Sequence, residues 1–396
     1  MAGTGSAHRP GRQPAIAGLG ITEQGKVYGK TAARFAAEAV RLAAADAGLA
    51  LGDLDGLRMS GGLSNTVGLE LQGTLGLTDL RLLTYLQGYG STAGQMVQYA
   101  ALAVQSGLAD TVAVVWADDP LKENARTSAA YKAAPSVPRG WRGISAANGI
   151  YSANTLYALA ARRHMKKYGT TQDHFGHIAV AQRAWAQLNP IAQFYGTPLT
   201  LAEYHASRYI AEPFHLFDCC LVSNGGVAVI VTSLDRARDL RQPPVLVLGW
   251  AQAHPGRTGV RNDDFGLVTG AASAGPRALK MAGVTLGEID VVQVYDCYTY
   301  TALVTLEDYG FVPKGEGGPA LSEPGMLGPG GRLKVNTGGG ELSAFYMWGM
   351  TPVHEAVVQA RGQGGDRQAG RHDRVLVSGN GGVLDYHSTL ILGTDN

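Results

Sequence analysis

Cysteine and histidine are residue types that often carry chemistry, and this sequence holds few of either in a useful spacing. Cys219, Cys220 and Cys297 form neither a C-x-x-C pair nor a disulfide framework, so we expect buried, inert thiols in a reducing compartment. His174 and His177 have the helical spacing of a metal pair, but no third ligand lies nearby. The sequence therefore predicts no metal site.

Glycine-rich segments are the second feature with a chemical meaning. Residues 338–340 are three consecutive glycines, yet no Lys-Ser or Lys-Thr follows them, which excludes a nucleotide-binding P-loop. Two further glycine-rich stretches cover residues 88–94 and 377–382. Backbone N–H groups in such loops can stabilise negative charge that develops on a substrate oxygen.

Charge and composition limit the classes of partner. Lys and Arg total 33 and Asp and Glu total 32, so a formal net charge of +1 favours neither nucleic acid nor an anionic membrane as the main partner. No apolar run approaches the ~20 residues of a membrane span, and residues 1–14 lack the apolar core of a signal peptide. We expect a soluble, cytoplasmic protein. Charged residues are only 16% of the chain, which suggests that another subunit covers part of the surface.

The elements that must position any site are duplicated along the chain. Residues 47–55 match residues 282–290 without a gap, and each copy follows a helical pattern and precedes a short apolar run. Residues 101–107 and 356–362 form a second matching pair, each between a glycine-rich stretch and a β-branched run. Strands that alternate with helices in both halves predict an α/β fold with parallel-type sheets covered by helices.

Between the repeats lies a segment of different character. It begins with a loop-like stretch rich in Pro, Ala, Ser and Arg, and continues as helices that break near residues 168–170. We therefore divide the chain into an N-terminal half, residues 1–240, with an inserted loop region at about 119–175, and a C-terminal half, residues 241–396.

The order of these pieces resembles the thiolase superfamily over nearly the whole chain. The closest resemblance is to the sterol-carrier-type thiolases and the lipid-transfer-protein aldolases. The stretches that carry it are residues 38–57, 88–94, 218–226, 295–298 and 336–349. The resemblance implies a thiolase fold, in which two pseudo-symmetric βαβαβ-type halves pack as a five-layer αβαβα sandwich with an inserted loop region.

The groups that perform thiolase chemistry are missing. The loop at residues 88–94 carries Ser91 and no cysteine at the nucleophile position, and a serine there would need an adjacent base. Tyr346 stands at the position of the thiolase histidine, and residues 377–382 lack the second cysteine. The resemblance therefore does not predict thiolase-type Claisen condensation.

Thiolase-fold aldolases have tyrosine at these positions, and the resemblance transfers that role to Tyr295 and Tyr346. It implies retro-aldol cleavage of a β-hydroxyacyl-CoA thioester, of which a steroid side-chain ester is the family's best-known example. One group removes the β-hydroxyl proton and another delivers a proton to Cα. No metal or cofactor is expected, and CoA enters only as part of the substrate.

Further residues follow from the same resemblance. The glycine-rich loops supply candidates for holding the enolate oxygen or the substrate: Gly90, Ser91, Gly338, Gly339, Gly340 and Gly381. Candidates for the substrate pocket are Asp296, Tyr298 and Trp348. A basic patch offers candidates for the CoA phosphates, with a solvated helix face as the alternative: Arg162, Arg163 and Lys166.

The chain departs from the aldolase pattern in places. Ala344 and Trp348 stand where the aldolases carry Glu and His, and Cys297 follows the Tyr-Asp pair where they often carry His. Two alternatives therefore stay open. One is a thiolase-like acyltransferase subunit whose partner supplies the thiol, and the other is a non-catalytic subunit that binds lipid or acyl-CoA.

The resemblance also implies two kinds of protein partner. Thiolase folds form two-fold homodimers, expected here through the sheet-edge strand after the nucleophile loop. The aldolases bind a small OB-fold/zinc-ribbon protein that completes the substrate tunnel. This chain has no zinc-ribbon cysteines, so that module would come from a separate polypeptide in a heterocomplex.

Overall fold

Strands and helices alternate through both halves of the computed structural model, which describes residues 12–62, 67–131, 141–150, 152–256 and 265–395. The strands before residue 240 are β1 (Pro14–Ile21), β2 (Gly56–Gly61), β3 (Leu82–Tyr85), β4 (Thr111–Asp118), β5 (Tyr209–Ala211), β6 (Phe214–His215) and β7 (Gly225–Ser233). The helices are α1 (Ala32–Ala47), α2 (Leu71–Leu75), α3 (Thr92–Ser106), α4 (Trp141–Ala147), α5 (Ala153–Tyr168), α6 (Gln172–Ala186), α7 (Leu201–Ala206) and α8 (Leu234–Arg238).

The second half repeats this succession without a long insertion. Its strands are β8 (Val245–Ala253), β9 (Val291–Gln293), β10 (Lys334–Val335), β11 (Arg374–Gly381) and β12 (Tyr386–Thr394). Its helices are α9 (Ala271–Ala282), α10 (Thr299–Tyr309), α11 (Gly317–Ser322), α12 (Gly340–Ser343) and α13 (Met350–Ala360). In the described ranges, no helix has both the length and the apolar character needed to cross a membrane.

The strand order shows the duplication directly. A ten-stranded sheet runs β10-β9-β11-β12-β8-β1-β7-β4-β2-β3, and it consists of two five-stranded halves joined through β1 and β8. Counted outward from that join, the halves read β1-β7-β4-β2-β3 and β8-β12-β11-β9-β10, which is the same order twice. The sheets are mixed rather than wholly parallel, because β7 and β12 run antiparallel to their neighbours.

Helices cover and separate the two halves of the sheet. Helix α1 packs on β1, β4 and β7, and α9 packs on β8 and β12. Helices α3 and α13 contact strands of both halves and each other, so they form the middle layer. The predicted five-layer α/β arrangement is confirmed.

Small residues set how closely these layers approach. A Cβ on Gly20 of β1 would lie 2.2 Å from the carbonyl oxygen of Ala39 in α1, and one on Gly249 of β8 would lie 2.4 Å from that of Ala278 in α9. Both helices end at a glycine in the left-handed conformation, Gly48 with φ 79° and Gly283 with φ 69°. The repeated Ala-Gly signal in the sequence therefore marks the ends of the two outer helices.

The segment that holds the predicted insertion is a long connection that contains several helices. It occupies the connection between β4 and β7, residues 119–224, whereas the matching connection between β11 and β12 covers only residues 382–385. The predicted break at residues 168–170 is confirmed, because Gly169 ends α5 and Thr171 caps α6. Helix α6 packs against α10, α11 and α12, so the insertion supports the elements that carry the C-terminal half of the site.

One expectation about the sheet edge is wrong. The strand after the 88–94 loop is β4, which lies inside the sheet between β2 and β7. The edge strand is β3, which precedes that loop. The reason is that α3 returns the chain across the sheet, so the strand that follows it enters beside β2 rather than outside β3.

Candidate active site

Two tyrosines from separate loops meet in the interior. Tyr295 follows β9, and its N–H donates to the carbonyl oxygen of Ser378 in β11 at 3.1 Å. Tyr346 follows α12, and its N–H donates to Oγ of Ser223 at 3.0 Å. The two phenol oxygens lie 2.7 Å apart and share a hydrogen bond. The structure thus brings the two predicted catalytic residues into direct contact.

Burial keeps both phenols neutral in the free protein. Tyr295 and Tyr346 are buried, and loss of hydration raises the pKa of each well above the usual value near 10. A charge on Glu341 would raise the pKa of Tyr295 further, and ionised Tyr295 would raise that of Tyr346. Because the pair shares one hydrogen bond, a proton removed from one phenol changes the basicity of the other.

The glycine-rich loop at the start of α3 packs against the ring of Tyr295. A Cβ on Gly90 would lie 2.3 Å from the Tyr295 ring and 2.2 Å from the carbonyl oxygen of Asn380. A Cβ on Gly381 would lie 2.5 Å from the carbonyl oxygen of Gly88. Helix α3 begins at Thr92, so the positive end of its dipole lies near the Tyr295 phenol and favours negative charge there.

Ser91 is held by its own loop. Its Oγ donates to the carbonyl oxygen of Gly88 at 2.7 Å and accepts from Nε2 of Gln95 at 2.7 Å. The side chain is fully buried, and neither partner is a base. This arrangement fixes the start of α3 and gives Ser91 no means of activation as a nucleophile.

Asp296 joins the two tyrosine loops. Its Oδ1 accepts a hydrogen bond from the N–H of Glu341 at 2.7 Å, at the start of α12. Gly340 has φ 62°, and a Cβ there would lie 2.1 Å from Oδ2 of Asp296. Burial raises the pKa of Asp296 to about 7. The carboxyl therefore positions α12, which leads into Tyr346.

The other two glycines of that segment serve close packing. A Cβ on Gly338 would lie 2.7 Å from Oε2 of Glu355 in α13. A Cβ on Gly339, which has φ 98°, would lie 2.5 Å from Cβ of Ala186 at the end of α6. These contacts explain why the segment needs small residues.

Tyr298 connects the insertion to the C-terminal half. Its hydroxyl donates to Oδ1 of Asn154 at 2.5 Å. Its ring stacks on Phe214 at 5.0 Å and lies 4.6 Å from the ring of Tyr157, between ring centroids. These contacts tie the start of α10 to α5 and β6.

Trp348 belongs to an aromatic wall beside the tyrosine pair. Its ring stacks on Tyr346 at a centroid distance of 5.5 Å and on Tyr89 at 6.4 Å, and Tyr131 packs edge-on against it at 6.3 Å. Trp348 and Tyr89 have φ values of 51° and 55°, which side chains with a Cβ rarely adopt. Tyr89 is 38% exposed, so this aromatic wall extends from the surface to the buried phenols.

The basic patch lies on α5. Arg162 pairs with Glu212 at 3.6 Å, and both side chains are exposed. Nη1 of Arg163 donates to the carbonyl oxygen of Phe265 at 3.5 Å. Lys166 is exposed in the last turn of the helix.

The cysteines form no disulfide. Burial raises the pKa of Cys219 above its usual range, and it does the same for Cys220 and Cys297. The three side chains therefore stay as thiols at neutral pH, which makes them poor nucleophiles.

The sequence interpretation missed Glu341. This side chain is fully buried on α12, and neither carboxyl oxygen has a hydrogen-bond partner among the residues that the structure describes. The only signal in the sequence is a single acidic residue inside an otherwise small and apolar stretch, residues 338–350.

Comparison with known proteins gives consistent matches. A family described as thiolase C-terminal domain-like matches residues 251–394. A steroid side-chain-cleaving aldolase of Thermomonospora curvata is 36% identical over 393 residues, covering 96% of this chain and 98% of the relative. A 17-hydroxy-3-oxo-4-pregnene-20-carboxyl-CoA lyase of Mycobacterium tuberculosis is 35% identical over 403 residues, covering 96% of this chain and 99% of the relative.

A solved structure agrees with these relatives. It is named Ltp2-ChsH2(DUF35) aldolase, and it superposes with a TM-score of 0.86 at 34% identity. The superposition covers 98% of this chain and 99% of that one. The likeness therefore extends over both halves and the insertion.

Proposed function

The chain belongs to the thiolase superfamily, in its sterol-carrier-type, thiolase-like aldolase group, and we propose that Tyr295 and Tyr346 perform its carbon–carbon lyase reaction on an acyl-CoA thioester. The observation that carries this proposal is the 2.7 Å contact between the two phenol oxygens. Paired groups at hydrogen-bond distance can pass one proton between them, which is what retro-aldol cleavage requires.

The reaction needs one base and one acid. One tyrosine of the pair, as phenolate, accepts the proton of the β-hydroxyl group. The Cα–Cβ bond then breaks, its electron pair moves into the thioester to give an enolate, and a carbonyl product leaves. The proton returns through the Tyr295–Tyr346 hydrogen bond to Cα, so the reaction consumes no proton overall.

The site favours the phenolate in one specific way. The dipole of α3, whose first residue is Thr92, places positive partial charge near Tyr295. Burial opposes ionisation of both phenols, so the basic form gains strength as a base when it does form. The backbone of Gly90 lies against the Tyr295 ring, and Gly381 packs against the same loop at Gly88.

We propose a steroid side-chain CoA thioester as the substrate. Two relatives over nearly the full chain are named for steroid side-chain cleavage and for a pregnene carboxyl-CoA lyase. The aromatic wall of Trp348, Tyr89 and Tyr131 offers flat faces beside the tyrosine pair, which suit a rigid, apolar ring system. Arg162, Arg163 and Lys166 on α5 are proposed to contact the CoA phosphates.

Two assemblies are part of the proposal. We propose β3, the outermost strand of the N-terminal half in the described sheet, as the homodimer contact, because an edge strand readily adds a strand of a second copy. The related solved structure is named as a complex of an aldolase with a DUF35 protein, and we propose a heterocomplex with a separate protein of that OB-fold/zinc-ribbon kind. Size-exclusion chromatography with light scattering, on the protein alone and after co-expression with the partner, would measure the homodimer and the heterocomplex.

Turnover of one defined substrate tests the reaction. The protein, alone and with its DUF35-type partner, is incubated with a steroid that bears a β-hydroxyacyl-CoA side chain. We expect equal amounts of a steroid ketone and a shortened acyl-CoA, detected by mass spectrometry. A covalent acyl-enzyme would instead support the acyltransferase alternative, and tight binding without turnover in either state would support a non-catalytic subunit.

A further inference from the structure

Glu341 is a buried acid whose carboxyl has no hydrogen-bond partner among the described residues. Neither carboxyl oxygen reaches a hydrogen-bond donor in the part of the chain that the structure describes, although the side chain has no exposed surface. Two other buried carboxyls are well satisfied: Glu355 binds Arg367, and Asp218 accepts from Tyr204 and from Thr299. Buried polar groups are nearly always paired, so an exception beside reacting groups calls for an explanation such as a catalytic role or an ordered water.

The backbone of Glu341 is fixed on both sides. Its N–H donates to Asp296 at 2.7 Å, and its carbonyl oxygen accepts from the N–H of Leu221 at 2.9 Å. The residue therefore sits between the turn that carries Tyr295 and the segment at 220–221, at the start of the helix that leads to Tyr346. Its position is set by the same contacts that bring the two tyrosines together.

The carboxyl is neutral in this setting. A carboxylate that is removed from water without hydrogen bonds is strongly disfavoured, and burial raises the pKa of Glu341 well above its usual range. The charge of Asp296 acts in the same direction. A neutral carboxyl carries one O–H donor, and that donor has no acceptor among the described residues.

Glu341 lies within electrostatic reach of the whole site. If ionised, Glu341 would raise the pKa of Tyr295 more than any other charge does, and it would also raise the pKa of Tyr346. The titratable groups that interact electrostatically with it come from several elements: Tyr131, Cys220, Tyr295, Asp296, Cys297 and Tyr346. Each of these is an acid, and no cation appears among them, so an ionised Glu341 would oppose a phenolate and an enolate alike.

We propose that Glu341 is a further catalytic residue, whose neutral carboxyl donates a hydrogen bond to the thioester enolate oxygen. This inference rests on the proposed retro-aldol reaction. When the Cα–Cβ bond breaks, its electron pair moves through Cα onto the thioester oxygen, and the Glu341 O–H stabilises that oxygen without giving up its proton. The proton taken from the β-hydroxyl still returns to Cα through the tyrosine pair.

Enolate formation can be measured apart from cleavage. The acyl-CoA product exchanges its α-protons with D2O when an enzyme stabilises the enolate, so mass spectrometry of the product gives a rate that needs no C–C bond to break. Removing one preorganised donor to an oxyanion lowers rates by about 10²- to 10³-fold. We expect a loss of that size in both exchange and cleavage for Glu341→Leu, with KM within about threefold of wild type.

Two further variants separate chemistry from structure. Glu341→Gln keeps a neutral N–H donor, so we expect its exchange and cleavage rates to fall by less than about tenfold. This variant also provides a test if Glu341→Leu does not fold. Glu355→Gln is the matched control, because it changes a buried carboxyl of α13 that binds Arg367. It should lower the melting temperature while leaving the exchange rate within about twofold.

The infrared spectrum gives a readout that is independent of activity. At pH 9, where Asp296 with its pKa of about 7 is ionised, we expect a protonated carboxyl band that disappears in Glu341→Gln. A folded Glu341→Leu protein with wild-type exchange and cleavage, or an ionised Glu341, would overturn this inference while the tyrosine reaction stands. If wild-type protein exchanges α-protons in a Glu341-dependent way but cleaves no β-hydroxyacyl-CoA, the proposed reaction fails and the role of Glu341 in holding an enolate stands.

Discussion

The hydroxyl oxygens of Tyr295 and Tyr346 lie 2.7 Å apart, although 51 positions separate the residues in the chain. Tyr295 is anchored to β11 through Ser378, and Tyr346 is anchored to the insertion through Ser223. Asp296 connects the two loops through the N–H of Glu341. The contact between the phenols therefore depends on both halves of the duplicated fold and on the segment between them.

Removal of either hydroxyl should stop cleavage. Tyr346→Phe and Tyr295→Phe each break the hydrogen bond that carries the proton, and we expect kcat to fall about 10²- to 10⁴-fold. Binding of the CoA ester should change less than about threefold, because the rings remain in place. Steady-state kinetics and titration calorimetry with a substrate analogue measure the two quantities.

A buried tyrosine elsewhere provides the control for this pair. The hydroxyl of Tyr309 bonds to Thr389 and to His387, in the outer part of the C-terminal half. Tyr309→Phe should lower stability and leave kcat within about twofold. Wild-type activity in both Tyr295→Phe and Tyr346→Phe would remove the tyrosine mechanism and leave the fold assignment untouched.

Cleavage should accelerate as the pH rises. Burial raises the pKa of both tyrosines well above 10, so at pH 7 to 9 only a small fraction of the pair is ionised. That fraction grows about tenfold per pH unit below the pKa, and kcat should follow it wherever chemistry limits turnover. A kcat profile that stays flat or declines between pH 7 and 9 would contradict a phenolate base.

Gly90 should be irreplaceable for activity. The Cβ of an alanine would lie 2.3 Å from the Tyr295 ring and 2.2 Å from the carbonyl oxygen of Asn380, so the ring must move away from Tyr346. We expect Gly90→Ala to lose at least about 10²-fold in kcat, because misplacement of a catalytic group by about 1 Å has effects of that order. Kinetics and a crystal structure of the variant check this outcome.

A second glycine tests whether the effect is local. Gly73 lies in α2, and a Cβ there would meet nothing within 4 Å. Gly73→Ala should stabilise the protein by about 0.5–1 kcal/mol, since alanine favours helix more than glycine does. Equal losses of activity in the two variants would mean that Gly90 has no special relation to Tyr295.

Trp348 should influence which acyl group binds. Its ring stacks on Tyr346 at 5.5 Å and on Tyr89 at 6.4 Å. Trp348→Leu removes a flat face, so we expect KM to rise about tenfold for a steroid CoA ester and to change little for a short, flexible β-hydroxyacyl-CoA. Equal KM changes for both esters would show that the ring serves packing alone.

Much of this architecture can be predicted from the sequence because the chain contains an internal duplication. The Ala-Gly pairs at residues 47–48 and 282–283 mark helix ends in both halves, and that repetition fixes element order without knowledge of contacts. The tyrosine pair is identified differently, through the resemblance to the thiolase-fold aldolases, which carry tyrosine at both positions. The antiparallel strand β12 is harder to predict, because the four-residue connection at 382–385 leaves no separate signal.

Contacts made across the fold are what the sequence does not reveal. Asp296 is a polar neighbour of Tyr295 and suggests a pocket residue, but its carboxyl instead holds the N–H of Glu341, 45 positions away. Glu341 itself is a single acid, and nothing local indicates that its side chain is fully buried. Both assignments depend on how the loop after β9 packs against α12, which only the folded chain determines.

Asp296 gives a stability prediction with a definite sign. Burial raises its pKa from 3.8 to about 7, so the folded state binds a proton more tightly than the unfolded state does between these values. Stability contributed by this group is therefore present at low pH and is lost as the pH rises toward 7, by about 4 kcal/mol for a shift of about 3 units. Asp296→Asn cannot ionise, and its Oδ1 can still accept from Glu341.

The comparison is made by urea unfolding at pH 5 and pH 8. We expect Asp296→Asn to gain in free energy of unfolding relative to wild type as the pH rises between these values, because only the wild-type side chain must ionise in a buried site. Asp239→Asn, an exposed position after α8, should show no such difference. A difference in stability between Asp296→Asn and wild type that is the same at both pH values would contradict this prediction. Asp296 would then ionise without penalty, and its carboxylate would have a partner in solution that offsets its burial.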